Sequence, residues 1–394
     1  MKRVDKKVGA KNVVLPHSQA KLDLYKTYLE HYLRVLCLAP FCTKINLYDI
    51  FCGIGLYEDG NIGSPLIAVD RIKATHILLD QLQKPTKPIT LTINDKETDK
   101  IETVKSLLAD KELSKCSYSY HNKDADDMLD IVINEVNSFP SSERNLLFID
   151  PYGYSNIHKE KIQELLKNEF TEIIMFLPVM QMYRFKSIAL SDSERACYDD
   201  LRRFIFSFFP SDHRIHSDQI ESIFDFINEI KNTFSFNKKF YTSSHYIERG
   251  SGNYYALFYI TPNLYGLDKM VETKWKLSPI TGKGFNQSKN QTNLFEQQFQ
   301  EQDKRRQLEY LEKRLLNSIN LAATGLTNKD IYLLTLKNDF KPSHANEILR
   351  KLIKDNYIEI YNIRNEKVNV DFGFGISYKD FKDVNAKVFF KKKR

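Results

Sequence analysis

Apolar positions along this chain follow two spacings, and the switches between them mark its parts. From 18 to 39, Leu22, Tyr25, Tyr28, Leu29, Tyr32, Leu33 and Leu36 recur at helical spacing, which predicts one amphipathic helix. Short strand-like runs follow at 45–51, 89–95, 145–153 and 172–180, with an alternating stretch from 116 that runs into an acidic loop near 127. Between them lie amphipathic segments at 64–74, 100–110 and 126–139, the first opened by Ser64 as N-cap with Pro65 in its first turn. Strand and helix in alternation predict an α/β fold, a mostly parallel sheet with helices on both faces.

Residues 186–236 read as a helical insertion. "KKFYTSSHYIER" and "NYYALFYITPN", joined through "GSGN", read as one antiparallel hairpin. A long charged helix is expected over 291–320, as a linker. Beyond it, "LTNKDIYLLTL" begins with Thr327 as helix cap, and "KPSHANEILRKLIKDNYIEI" places Ser343 at the cap of a second helix. Two short strands around a polar turn follow. Helix, turn, helix and wing in this order describe a small winged helix-turn-helix domain. Arg350, Lys351 and Lys354 would flank its recognition helix and Arg364 and Lys367 its wing, as nucleic-acid contacts. The expected organisation is a basic tail at 1–17, a Rossmann-like domain at 18–290, a linker helix at 291–320, the winged helix at 321–386 and a basic tail at 387–394.

Charge alters this picture only once it is located. Residues 1–12 and 387–394 contribute +4 and +5 of the net +7, which leaves the body at −2. Two basic tails on a near-neutral body suit phosphate backbones or an acidic partner, or serve solubility alone. The start lacks a secretory apolar region and no run reaches membrane-spanning length, so the expectation is a cytoplasmic protein with no membrane partner. Five scattered cysteines lack metal-ligand spacing and read as reduced thiols. The histidines are dispersed too, so no metal site is expected. Trp275 reads as core.

In parallel sheets, ligands sit outside the carboxyl ends of the strands. Asp49, Gly53, Asp95, Asp124 and Asp150 all fall there. The stretch 46–65, "NLYDIFCGIGLYEDGNIGSP", carries four glycines between 53 and 63, which permits tight turns and close approach of a ligand to the main chain. Glu58 stands where a dinucleotide fingerprint needs its third glycine.

A strand ending Asp49-x-Phe51-x-Gly53-x-Gly55 instead resembles the first motif of S-adenosylmethionine-dependent methyltransferases. The resemblance implies S-adenosyl-L-methionine as cofactor, with Asp49 toward its amino end and Phe51, Gly53 and Gly55 along its path. It implies that Asp95 holds the ribose hydroxyls and that Asp124, or neighbouring Asp126 or Asp127, meets the adenine amino group. Asp150-Pro151-Tyr152-Gly153 is similar to the Asp/Asn-Pro-Pro-aromatic tetrad of amino-directed methyltransferases, which makes Asp150, Pro151 and Tyr152 the candidate catalytic set. Tyr154 is a further candidate ring, and Arg184 a candidate phosphate contact. The second proline is missing and the aromatic comes one place early, a departure that counts against amine methylation. Cytosine-C5 chemistry needs Pro-Cys, which occurs nowhere in the chain.

"YDIFCGIGLYEDGNIGSPLIAV", "TINDKE", "LLFIDPYG" and "TKWKLSP" together resemble the three-Cys-motif partner (TcmP) family, in order through most of the first 290 residues. The C-terminal segment is similar to the winged-helix module at the end of such proteins. The resemblance implies a methyltransferase-like Rossmann domain and a partner protein with a three-cysteine motif. The expected function is a methyltransferase acting on or binding nucleic acid. The alternative is a catalytically inactive protein of that fold that docks a three-Cys-motif partner or nucleic acid, in phage defence. A metal-dependent hydrolase ranks last, because strands about 4.8 Å apart spread the four aspartates too widely for one ion.

Overall fold

The computed structural model describes residues 13–151, 153–191, 196–217, 219–236, 238–250, 252–286, 294–368, 374–383, 385 and 388–393. The chain divides into two compact units, one of residues 1–178 and 192–207, the other of 179–191 and 208–394.

The first unit alternates helix and strand: α1 (Pro16–Leu38), β1 (Lys44–Asp49), α2 (Ser64–Gln81), β2 (Ile89–Asn94), α3 (Thr98–Leu108), β3 (Cys116–His121), α4 (Ala125–Ser138), β4 (Glu143–Ile149), α5 (Lys159–Leu166) and β5 (Thr171–Leu177). Its strands are all parallel, in the order β3-β2-β1-β4-β5. The apolar runs explain the burial. Every residue of β5 and the last five of β1 are buried, as strands covered on both faces require. Edge strand β3 has no buried residue, consistent with its alternating sequence. α1 packs beside α2, and its Tyr25 ring stacks on Phe148 of β4 at 4.3 Å between centroids. This is an α/β Rossmann-like sheet. β1 feeds outward to β2 and β3 on one side, and β4 then returns to its other side. The direction of winding reverses at the β1/β4 boundary, where the strand ends leave a crevice.

The second unit starts with α6 (Val179–Ser191). After α7 (Asp199–Phe208), it continues with α8 (Ile223–Thr233), β6 (Tyr241–Glu248), β7 (Tyr254–Thr261), α9 (Leu264–Leu277), β8 (Gly284–Asn286), α10 (Leu294–Leu321), β9 (Leu326–Thr327), α11 (Asn328–Lys337), α12 (Pro342–Lys354), β10 (Ile358–Tyr361), α13 (Tyr378–Lys382) and β11 (Phe389–Lys392). β6 and β7 form the antiparallel hairpin, Tyr241 opposite Thr261 through to Glu248 opposite Tyr254. The short β8 adds a parallel neighbour to β6.

Several expectations are corrected here. Leu311, Leu315 and Ile319 of α10 are fully buried in the core of this unit, so that end of the long helix is a packing element rather than a linker. Residues 389–392, expected within a basic tail, form β11, which pairs with both β10 and β9. Phe390 supplies the reason, because it is completely buried and draws the lysine-rich strand into the sheet. The N-cap of α2 is Gly63, with Ser64 already in the helix. The cap of α12 is Lys341 with Pro342 at the first turn, which moves Ser343 inside the helix. Thr327 caps α11 through a reciprocal pair with Asp330.

A buried ion cluster ties α9, β6 and the α11–α12 turn together. Lys274 Nζ donates to Asp339 Oδ1 at 2.7 Å and to Ser243 Oγ at 2.8 Å. Lys231 Nζ lies 3.5 Å from the other Asp339 oxygen. Trp275 is core, its indole N–H donating to the Asp339 carbonyl at 2.7 Å. Burial pulls Lys274 down to about 8, opposed by the Asp339 charge, so the pair remains ionised at neutral pH. Among the described residues, no helix is long and apolar enough to cross a membrane.

Candidate functional site

The crevice at the β1/β4 boundary opens on a cleft of about 200 Å³ whose walls include Phe51, Asp95, Asp124, Pro151, Gly153 and Asn156. Positions that lie up to about a hundred residues apart in the sequence meet there because parallel strands all end on one side. The glycine loop borders it. Gly53 and Gly55 hold φ values of +63° and +74°, which side chains other than glycine's rarely adopt. Their surroundings differ. A Cβ on Gly55 would come within 2.9 Å of Val104 and 3.0 Å of Leu66, whereas one on Gly53 would meet nothing within 4 Å. Gly55 is therefore bare for packing. Gly53 is bare toward open space, where a ligand can lie against the main chain.

Asp49, at the end of β1, is wholly buried, and neither carboxylate oxygen closes a hydrogen bond of good geometry. Burial holds its carboxyl up at about 7. The Ser64 hydroxyl and Phe51 amide are near enough to pull it down, and the Asp150 and Asp95 charges push it up again. A buried acceptor without a donor is costly, and such a group marks a place for a cation or a donor from outside.

Asp95 follows β2 and is 3% exposed. Its Oδ2 accepts the Gly53 N–H at 3.2 Å and its Oδ1 the Glu97 N–H at 3.0 Å, with Lys100 Nζ 3.6 Å away. A carboxylate has about four acceptor positions, so Asp95 retains capacity toward the cleft while steadying the glycine loop. Asp124 caps α4, its Oδ1 accepting the Asp126 N–H at 3.1 Å, and stands exposed at the cleft wall. Asp126 instead pairs with Lys161 at 2.9 Å.

Asp150 follows the last residue of β4 and carries an ion pair with Lys21 of α1. The Lys21 ammonium also lies 4.9 Å from the centre of the Phe176 ring, a cation–π arrangement. Pro151 is buried beside the cleft. Tyr152 lies outside the described residues. Tyr154 is partly buried near Asp200. Arg184 is exposed on α6, and Tyr183 beside it packs against Phe226 at 5.7 Å.

In the second unit, Arg350 and Lys354 of α12 and Lys367 line a groove of about 440 Å³ together with Ile353, Asn356 and Glu359. Lys351 does not share it. Its ammonium pairs with Glu312 of α10 at 2.9 Å. Lys367 carries an ion pair of its own with Glu359 at 2.7 Å. Arg364 is exposed in the turn after β10, where its N–H donates to Asn362.

Sequence reasoning passed over three residues that shape the first-unit site. Asn94 bridges three strand ends, donating to the Ile50 and Lys123 carbonyls at 3.1 Å and accepting the Lys123 N–H. Its signal in the sequence is an amide at the carboxyl end of a strand, directly before Asp95. Lys100, two residues into α3, had the weaker signal of following Asp95 by five positions. Lys21 had none, since it is one of several charged residues on an amphipathic helix. Among the described residues, no group of three His, Cys, Asp or Glu is arranged to hold a metal ion.

No protein-family model and no curated protein matches the chain. Solved structures do match. A crystal structure of WbdD is 10% identical and aligns over 64% of this chain and 41% of its own length, with a TM-score of 0.35. Loganic acid methyltransferase with SAH is 10% identical over 65% of this chain and 79% of its own, at 0.31. Human methyltransferase-like protein 13 in complex with SAH is 8% identical over 74% of this chain and 91% of its own, at 0.27. The chain thus spans well under half the length of WbdD. At these values the fold is read from the strand order itself.

Proposed function

We propose that the first unit binds S-adenosyl-L-methionine and that the chain is a methyltransferase of the three-Cys-motif partner kind, acting on nucleic acid. The observation that carries the reading is Asp49, a buried carboxyl at the head of a glycine loop, neither of whose oxygens closes a hydrogen bond of good geometry among the described residues. The site's residues suit this cofactor. Asp49 offers acceptors to an ammonium, and Gly53 leaves its own side open. Asp95 and Asp124 sit at successive strand ends where a ribose diol and an adenine amino group need acceptors.

The bound cofactor supplies a methyl group activated by a positive sulfur. The chain's own part is to bind and orient. Asp49 holds the cationic end in a water-poor recess, while Asp95 braces the loop and presents its free lone pairs. Asp150 accepts from the acceptor's N–H and aims its lone pair at the cleft. Alignment of this kind supplies much of the rate of a bimolecular step. A target base within a duplex has to leave the stack to reach such a cleft.

The second unit adds a nucleic-acid-binding reading. The order β9, α11, α12, β10, β11 supports a winged helix, and Arg350 and Lys354 share a groove on its second helix. Replacing both by alanine is expected to weaken DNA or RNA binding and to flatten its dependence on salt, by about one unit of slope per lost phosphate contact. Lys351→Ala is expected to do less, because that ammonium is already engaged by Glu312. Filter-binding titrations across a salt series check both.

The test of the main reading is transfer of a labelled methyl group from S-adenosylmethionine to DNA, RNA and a three-cysteine partner, beside calorimetry with S-adenosylhomocysteine. Saturable binding of the product and label on nucleic acid are expected. Absence of product binding, with and without nucleic acid, refutes it. One observation favours a binding protein without turnover: Asp150 is engaged by Lys21. In that case calorimetry is positive and no acceptor takes label.

A further inference from the structure

We propose that Lys21 is a built-in occupant of the acceptor position, and that the group it stands in for is an amine nitrogen. The proposal rests on the reading of Asp150 as the acceptor-orienting carboxylate, and it adds the class of acceptor and the means by which the site is kept closed. Lys21 Nζ is an alkylammonium held by a carboxylate on one side and the Phe176 ring on another. That is the arrangement that recognises amines and alkylammonium groups. It is also sheltered, with the Lys21 side chain 14% and the Asp150 side chain 20% exposed, unusual for a lysine.

Docking of α1 does not depend on this pair. Leu22, Leu24, Tyr25, Tyr28 and Leu29 are each at most 4% exposed, and Tyr25 stacks on Phe148. What the ammonium does is offset charge. The Asp150 and Asp95 charges both bear on Asp49, whose oxygens close no hydrogen bond of good geometry among the described residues. An incoming alkylammonium that takes over the Asp150 contact restores the same balance, so exchange of one ammonium for the other is close to neutral in charge. The bound group attacks only once it has given up a proton, and a neutral nucleobase amino group does not make this exchange. Lys21 then swings out along its own flexible stem, and no backbone has to move.

The experiment removes the occupant and offers its head group in solution. Lys21→Ala is titrated with n-butylammonium chloride by calorimetry and by thermal melting, against sodium chloride of equal strength. Wild type and Lys21→Ala/Asp150→Asn are run beside it. Lys21→Ala is expected to melt a few degrees lower than wild type and to recover most of that loss with butylammonium, binding it roughly tenfold more tightly than wild type does. The double variant is expected to show no recovery. Equal responses in all three proteins, or recovery that persists without the Asp150 carboxylate, overturn the proposal. Lys21→Met, which keeps the stem and drops the charge, serves the same series should the alanine variant misfold. S-adenosylhomocysteine is titrated into the same samples. A variant that binds it and ignores butylammonium overturns this proposal alone; one that takes butylammonium and ignores S-adenosylhomocysteine supports the proposal and overturns the cofactor reading.

Discussion

Asp49→Asn is expected to make the ligand-free protein more stable at alkaline pH and to cost it most of its affinity for the methyl donor. Both effects come from the same buried carboxyl. Burial raises its folded pKa to about 7, against about 3.9 in an unfolded chain. Between those values the folded state holds the proton and the unfolded state does not, so wild-type stability falls as pH rises from about 4 to about 7. Above that window the ionised carboxylate costs on the order of 4 kcal/mol. Asparagine has no charge to strand. Its own buried amide costs roughly 1–3 kcal/mol if unpaired, so the two proteins should melt together near pH 5. At pH 8 the variant should melt several degrees higher. Donor binding runs the other way. A charged hydrogen bond is worth about 1.5–3 kcal/mol, so the variant's affinity should drop on the order of 10–100-fold. In wild type, affinity should climb about tenfold per pH unit up to 7, with one proton released per donor bound. Melting curves at pH 5 and 8, and calorimetry in buffers of different ionisation enthalpy, check the two signs. A variant no more stable at pH 8 than at pH 5, relative to wild type, would show that Asp49 has partners it does not need a ligand to supply.

The legible part of this molecule is the part where period and burial coincide. β1, β4 and β5 announce themselves as apolar runs because both faces are covered. The aspartates that follow the strands could be grouped because parallel strands share one carboxyl end. The groove residues Arg350 and Lys354 could be grouped because they lie four apart on one helix face. What was hidden depends on distance through space. Lys351 looks equivalent to Arg350 in sequence, and only the approach of Glu312 from α10 separates them. Lys21 and Asp150 are 129 positions apart, and nothing local in α1 marks one of its charged residues for the sheet. The C-terminal lysines read as a basic tail, since their composition outweighs Phe389 and Phe390. The sheet partners that make those two residues a strand, β10 and β9, contribute four and two residues. Asp49 shows the opposite balance. Its position was plain from the motif, while the absence of a well-formed hydrogen bond to either of its oxygens among the described residues, the fact that gives it meaning, appears only with the neighbours in place.

Asp150→Ala is expected to abolish methyl transfer while leaving donor affinity within about threefold of wild type. The carboxylate is needed to accept from the acceptor nitrogen and fix the direction of its lone pair, and loss of one such orienting group typically lowers a rate by roughly 10²–10⁴. Affinity for the donor responds to two small changes of opposite sign. Removing a negative charge weakens the general attraction for a cation. It also relieves Asp49, whose carboxyl the Asp150 charge holds up, so that more of it is ionised near neutrality and ready for the donor's ammonium. Lys21 complicates the comparison in a useful way. In Asp150→Ala its ammonium loses its carboxylate and keeps only the Phe176 ring, whereas Asp150→Asn retains an oxygen for it. If orientation alone matters, asparagine should restore part of the transfer rate that alanine loses. If the charge matters, because it keeps the acceptor amine paired until attack, both variants should be equally inactive. Transfer rates for the two variants at saturating donor, measured beside calorimetric affinities for S-adenosylhomocysteine, separate the cases. Parallel loss of rate and affinity in both would mean that Asp150 belongs to the donor's half of the cleft rather than the acceptor's.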